Sequence, residues 1–252
     1  MSNKNKNDIF IRMESAQNPL PSPKIATEKT ISTKFDFVKF TFYVTYVLLI
    51  TTGTITFIEA LATKTPFVRH IMNLETCISI IAGYFYSQFV SKVTTASGGV
   101  VDYKDINETR YNDWFITTPL MILALMLALS YSNNKSSVHI GTYASAVILN
   151  FAMLYSGYLG EKNTISKGTG CLIGFVFFIA LFGLIYMSFV KGSSSKFTFV
   201  LFGIYLAIWG LYGFVYLLDE ENKNIAYNIL DAAAKCVVGL GLWTYFTKIL
   251  VV

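Results

Sequence analysis

The sequence predicts an all-α membrane protein: a bundle of seven transmembrane helices, with the N-terminus outside and the C-terminus cytoplasmic. Three observations carry this expectation. Of 252 residues, 54% are hydrophobic and only 14% charged, with a mean hydropathy of +0.51, which is too apolar for a soluble domain of this length. Beyond residue 35 the chain divides into seven mostly apolar runs, each near the roughly 20 residues that cross a bilayer. The charges between those runs segregate by sign.

Residues 1–34 are polar and rich in Asn, Lys and Ser, with Pro19, Pro21 and Pro23 and no apolar core of signal-peptide type. They read as a mobile N-terminal tail ahead of a transmembrane domain over 35–252. The first run, near 36–62, carries Thr41, Thr45, Thr52, Thr56 and Glu59 at helical spacing, a hydroxyl stripe that ends in a carboxylate. The second, near 71–91, places Asn73, Glu75, Thr76 and Ser79 in its first half. The third, near 108–131, opens on RYNDWFITTPL, where Arg110, Asp113 and Thr117 share a face and Pro119 bends the helix.

The fourth run, near 138–159, contains the single amide Asn150 in an apolar context, and the fifth, near 168–190, is too uniform to single out any residue. The sixth, near 197–218, is aromatic. The seventh, near 225–251, is introduced by a polar stripe of Asn224, Asn228, Asp231 and Lys235, whose offsets of 4, 7 and 11 put all four on one face. That stripe ends at a lysine near mid-membrane.

With the N-terminus outside, the short inner segments hold Lys64, Arg69, Lys135, Lys191, Lys196 and Lys248 and no acid, while the outer loops hold Asp102, Asp105, Glu108, Glu161, Asp219, Glu220 and Glu221. This is the positive-inside bias. The net charge of +5 therefore reflects the tail and inner loops and requires no nucleic acid. There is no phosphate-binding glycine loop, zinc-ligand cluster or Ser/His/Asp set, so no enzyme or metal site is expected. Cys77, Cys171 and Cys236 fall inside the runs, as small packing residues rather than a disulfide framework.

An ionisable side chain within a span costs a few kcal/mol or more, so each one asks for a partner. An ion pair between Asp231 and Lys235 that ties helices together is one answer. A second is chemical: desolvation favours the neutral amine of a mid-membrane lysine, the form that attacks a carbonyl to make a Schiff base. Once protonated, that group needs carboxylates nearby, and Asp113 and Asp231 can face it while Arg110 balances the two acids.

RYNDWFITTPL on the third helix, together with LDAAAK on the seventh, resembles the microbial (type 1) rhodopsins. The resemblance implies all-trans retinal bound covalently to Lys235, with Asp113 as primary counterion and proton acceptor and Asp231 as second counterion. It also implies a pocket lined by Trp114, Thr118 and Met121 from the third helix, Met153 and Gly157 from the fourth, and Phe202, Tyr205 and Trp209 from the sixth. Leu206 stands where the family usually has proline. Asn150 is expected to pair with Thr118.

Within the family, an outward proton pump usually carries a second carboxylate eleven residues after the first, and here that position is Ala124. The polar residues Glu59, Asn73, Glu75 and Ser79, with Asn150, Asn224 and Asn228, instead mark an ion path and gate. The pattern is most similar to the rhodopsins of giant viruses that infect algae, one group of which are light-gated cation channels. The expected function is such a channel, with a slow outward proton pump as the alternative and a photosensor as the third reading. The expected partners are the lipid bilayer, permeating monovalent cations or protons, and a homo-oligomeric assembly.

Overall fold

The computed structural model describes residues 23–96, 100–133 and 138–248, with side chains from residue 35 onward. Among the described residues, seven long helices account for nearly the whole chain and no strand occurs. They are α1 (Pro23–Ala62), α2 (Pro66–Thr95), α3 (Tyr103–Ser132), α4 (Ile140–Glu161), α5 (Lys167–Val190), α6 (Lys196–Val215) and α7 (Glu220–Thr247). The first helix thus begins at Pro23, inside the stretch read from sequence as tail, and residues 1–22 lie outside the described residues.

Local chemistry sets the boundaries. Asp102, Ser166, Ser195 and Asp219 each cap a helix N-terminus by accepting a hydrogen bond from a backbone N–H three residues on, at α3, α5, α6 and α7. Thr65 precedes Pro66 at the first position of α2, where a missing N–H costs nothing. Connections are short, so neighbours in sequence run antiparallel and adjacent helices pack together, α1 with α2 and α4 with α5 most extensively.

Six of the seven helices are long and apolar enough to cross a bilayer; α2 is equally long but more polar, with Arg69, His70 and Glu75 in its first half. Large apolar side chains such as Phe40, Val47, Leu172, Ile179 and Phe214 point away from the bundle, as expected of a protein solvated by lipid. The chain is an integral, multi-pass membrane protein.

Alternation of direction gives the bundle two ends. At the near end α1, α3, α5 and α7 begin; at the far end α2, α4 and α6 begin. The main core cluster fills the far half with Met72, Ile78, Leu125, Leu129, Leu181, Ile185 and Leu242, among others. The near half is different: its centre is charged and hydrogen-bonded.

Candidate functional site

Lys235 sits on α7 within a π-turn, Ala232–Val237, that interrupts the α-helical ladder. Such single-turn departures are frequent at functional positions because they re-aim one side chain. The ammonium Nζ donates to Asp231 Oδ1 at 2.7 Å and lies 3.6 Å from Asp113 Oδ2. All three side chains are buried, and so is Arg110, whose Nη1 donates to Asp231 Oδ2 at 3.0 Å. Two cations and two anions thus form a neutral buried cluster.

The two carboxylates are not equivalent. Asp231 accepts from Lys235, Arg110, Tyr86 Oη (2.8 Å), Tyr212 Oη (2.8 Å) and Trp114 Nε1 (3.3 Å). Five donors around one carboxylate hold its negative charge in place. Among the described residues neither oxygen of Asp113 has a hydrogen-bond partner, and its ion-pair contact is the longer one, to Lys235. Thr117, one turn along the same face, donates to the Asp113 backbone carbonyl at 2.8 Å, the ordinary satisfaction of a helical threonine.

From Arg110 the network runs to the near end. Its Nη2 donates to Asn228 Oδ1 (2.9 Å) and Asn224 Oδ1 (3.2 Å); Asn224 Nδ2 donates to Asn107 Oδ1 (3.0 Å); Asn107 Nδ2 donates to Glu161 Oε1 (2.8 Å) and Glu220 Oε2 (2.5 Å). Lys223, fully buried, closes the chain by pairing with both Glu161 (2.6 Å) and Glu220 (3.0 Å). Asn228 also ties α7 to α1: its Nδ2 donates to Thr41 Oγ1, and its carbonyl accepts from Thr45 Oγ1.

Beside Lys235 lies a cavity of about 120 Å³ between α3, α4, α5, α6 and α7. Trp114, Thr118, Met121, Met153, Gly157 and Trp209 line it as expected, and Lys235 forms one end. At Gly157 a methyl group would stand 2.6 Å from Tyr111 Oη, so only glycine lets that ring lie along the wall. Asn150 Nδ2 donates to Thr118 Oγ1 at 2.8 Å, fixing α4 against α3.

Phe202 and Tyr205 require correction, because they do not line the cavity. They are buried two turns toward the far end, with Phe202 against Phe182 and Tyr186. The sixth-helix wall is made by Trp209, Tyr212, Gly213 and Tyr216. The spacing of aromatic positions 202, 205 and 209 is repeated by 209, 212 and 216, so spacing alone cannot tell the two registers apart, and the structure selects the later one.

A second correction concerns the path residues. Asn73 is exposed on the outside of α2, about 60° around the helix from Thr76 and farther from Glu75 and Ser79, all three of which are buried. Glu59 is half-buried at the far end and accepts from Trp243 Nε1 at 3.3 Å. Glu75 and Ser79 are buried.

Sequence reasoning missed Tyr86, Asn107, Glu161, Tyr212 and Lys223 as members of the network. Tyr86 lies in an aromatic stretch, GYFYSQF, that gives no hint of polarity, whereas Lys223 lies one residue before Asn224 and Glu161 closes a helix. A basic residue beside the polar stripe of α7 was the available signal.

A family model described as bacteriorhodopsin-like protein matches residues 36–249. The chain is 28% identical over 173 residues to archaerhodopsin-2 of Halobacterium sp. (strain aus-2), covering 62% of each protein. It is 24% identical over 155 residues to the green-light absorbing proteorhodopsin of Gamma-proteobacterium EBAC31A08, covering 55% of this chain and 61% of that protein. The chain thus spans about three fifths of the length of these curated relatives. Among solved structures, viral rhodopsin OLPVRII superposes with a TM-score of 0.78 at 42% identity, over 84% of this chain and 98% of that one. The blue light-absorbing proteorhodopsin from Med12 shares the fold, with a TM-score of 0.66 at 19% identity over 84% and 97%.

The chain belongs to the bacteriorhodopsin-like family, the microbial type 1 rhodopsins. The cofactor of the family is retinal, attached to a lysine as a Schiff base, and it supplies light absorption and isomerisation. The residues present fit that group: an aromatic-walled cavity ends at a buried lysine, and Asp113 beside it offers two carboxylate oxygens with no other donor.

Proposed function

We propose that the protein is a light-driven proton transporter that moves protons from the far end of the bundle to the near end, with the near end outside the cell. Asp113 is the acceptor: it stands 3.6 Å from the Lys235 nitrogen, and its oxygens are unmatched by other donors. Asp231 keeps its charge under five donors and serves as the fixed counterion. Arg110 balances the pair and donates hydrogen bonds to Asn224 and Asn228 of the asparagine ladder.

The observation that carries this reading is Glu75. The third-helix position facing the far side is Ala124, which from sequence argued against pumping. The carboxyl that Ala124 lacks is supplied by α2 instead. Glu75 is 2% exposed, and its Oε2 lies against Gly239, one helical turn beyond Lys235 toward the far end. A carboxyl placed there can return a proton to the Lys235 nitrogen after Asp113 has taken the first. Each cycle then moves one proton: from the Lys235 nitrogen to Asp113, from Glu75 to the Lys235 nitrogen, from the far-end solution to Glu75, and from Asp113 to the near-end solution, which restores the starting state.

The second reading is a light-gated cation channel. The hydrogen-bonded continuity of Thr41, Thr45 and Asn228 between α1 and α7, leading to Asn224, favours it. In that case loss of the Lys235–Asp113 charge pair loosens the Arg110 constriction. Photocurrents in a voltage-clamped cell separate the two. A current that stays outward at all voltages is the expected result; one that reverses and tracks external sodium or potassium would establish the channel, and no current at any voltage would leave a photosensor.

A further inference from the structure

Around Glu75 the structure gathers polar atoms that the proton-transfer reading leaves without a task. Glu75 Oε1, Ser79 Oγ and Thr52 Oγ1 are all buried and have no hydrogen-bond partner, Thr52 standing beside only the weakly donating Cys236 thiol. Glu75 and Thr52 both stand against Gly239 of α7, and Ser79 stands against Gly53, the residue after Thr52, so the three side chains lie along one seam of α1, α2 and α7. A methyl group on Gly239 would meet Glu75 Oε2 at 2.8 Å and Thr52 Cγ2 at 3.5 Å; one on Gly53, next to Thr52, would meet Ser79 Cβ at 3.3 Å. Glu75 and Ser79 are themselves one turn apart on α2. On the far side the group is closed by Thr56 and Thr76, whose hydroxyls bond each other at 2.9 Å and also return to their own helices.

Three buried polar groups along one seam are costly to leave without hydrogen-bond partners. An internal water needs two to four polar partners, and these three supply them. We propose that Thr52, Glu75 and Ser79 form a water-binding cage in which the hydroxyls of Thr52 and Ser79 position the proton-donating carboxyl of Glu75, and that Gly239 is required to make room for it. Because the bound water accepts from the carboxyl and is held by the two hydroxyls, it gives the Glu75 proton a defined direction and route. A helix-facing hydroxyl pair that simply satisfied its own backbone would not do this; unlike Thr56 and Thr76, neither Thr52 nor Ser79 bonds a backbone carbonyl.

This inference rests on Glu75 being the donor, and the test separates the two claims. In the full-length protein with retinal bound, light-minus-dark infrared spectra are recorded in ordinary and ¹⁸O-labelled water, alongside flash measurement of the rate at which the Lys235 nitrogen regains its proton. Glu75→Gln identifies the Glu75 carboxyl band and is expected to slow reprotonation about 10²-fold or more; an unchanged rate would refute the donor reading itself. With that effect present, Ser79→Ala and Thr52→Val are each expected to move the Glu75 carboxyl band to higher frequency, to remove a water O–H band that shifts in ¹⁸O water, and to slow reprotonation about tenfold, the equivalent of one lost hydrogen bond. Ser79→Thr should restore both. Gly239→Ala should displace the carboxyl and reproduce the loss. Bands and rates unmoved by Ser79→Ala and Thr52→Val, in variants that still form pigment, would overturn the cage, as would a Glu75 band that responds to sodium concentration.

Discussion

Arg110, Asp113, Asp231 and Lys235 are each 2% exposed or less, so their charges are stabilised by one another rather than by solvent. Removing one leaves an uncompensated charge, which typically costs about 3–5 kcal/mol, whereas keeping the shape and hydrogen bonds costs less. Asp231→Ala is therefore expected to destabilise the retinal-free protein by about that amount in detergent unfolding, and Asp231→Asn by less. A loss under about 1 kcal/mol for the alanine variant would show that Tyr86, Asn224 and Asn228 suffice to hold Arg110. Lys235→Ala should abolish visible absorption after retinal is added; retained pigment would refute the attachment site. These four residues were readable from the sequence because charge in an apolar span is rare and helical offsets placed them on common faces. Their hydrogen-bond partners were not readable, since Tyr86 and Tyr212 look like any other aromatic until a carboxylate is seen within 2.8 Å of each hydroxyl.

Helices as units show the same division between what pattern reveals and what packing decides. The seven runs were visible as apolar stretches between capped, polar connections, yet the register of α6 was not, because its aromatic residues repeat one spacing in two overlapping frames. Contact with α5 and α7 resolves it: Trp209 stacks edge-on against Phe182, and Tyr212 lies 5.7 Å from Tyr227. The tie between α4 and α7 was hidden for a related reason, as it joins residues 62 apart in sequence. Lys223 and Glu161, 0% and 4% exposed at the side chain, pair at 2.6 Å and anchor the asparagine ladder. Lys223→Met alone should destabilise by about 3–5 kcal/mol through the buried Glu161 it leaves behind, and Lys223→Met with Glu161→Met should recover most of that loss. Additive losses in that double-mutant cycle would mean that the two side chains act separately, with Glu220 and Asn107 carrying Glu161.

The bundle as a unit is asymmetric. Its near half is a continuous hydrogen-bonded network from Lys235 to Glu220, while the centre of its far half is mainly apolar and, among the described residues, holds one buried carboxyl, Glu75. The connections are asymmetric too. Lys64, Arg69, Lys191, Lys196 and Lys248 stand at the far end, and Asp102, Asp105, Glu108, Asp219, Glu220 and Glu221 at the near end. Basic residues in short connections are retained on the cytoplasmic side, so the far end should face the cytoplasm and the near end the outside. For the proposed proton transporter, this placement predicts the direction of transport. A proton entering past the apolar half meets Glu75 first, whereas one on Asp113 is already in contact with the polar half, so a cycle that transfers from Lys235 to Asp113 discharges toward the near end. In intact cells, a C-terminal tag should be shielded from added protease and light should acidify the medium. A shielded tag with alkalinisation of the medium would mean that the polar network is the entrance, and would remove Glu75 from the role of donor. An exposed tag with acidification would place the far end outside and reverse the same assignment. Only the combination of a shielded tag and an acidified medium agrees with both the charge placement and the position of Glu75.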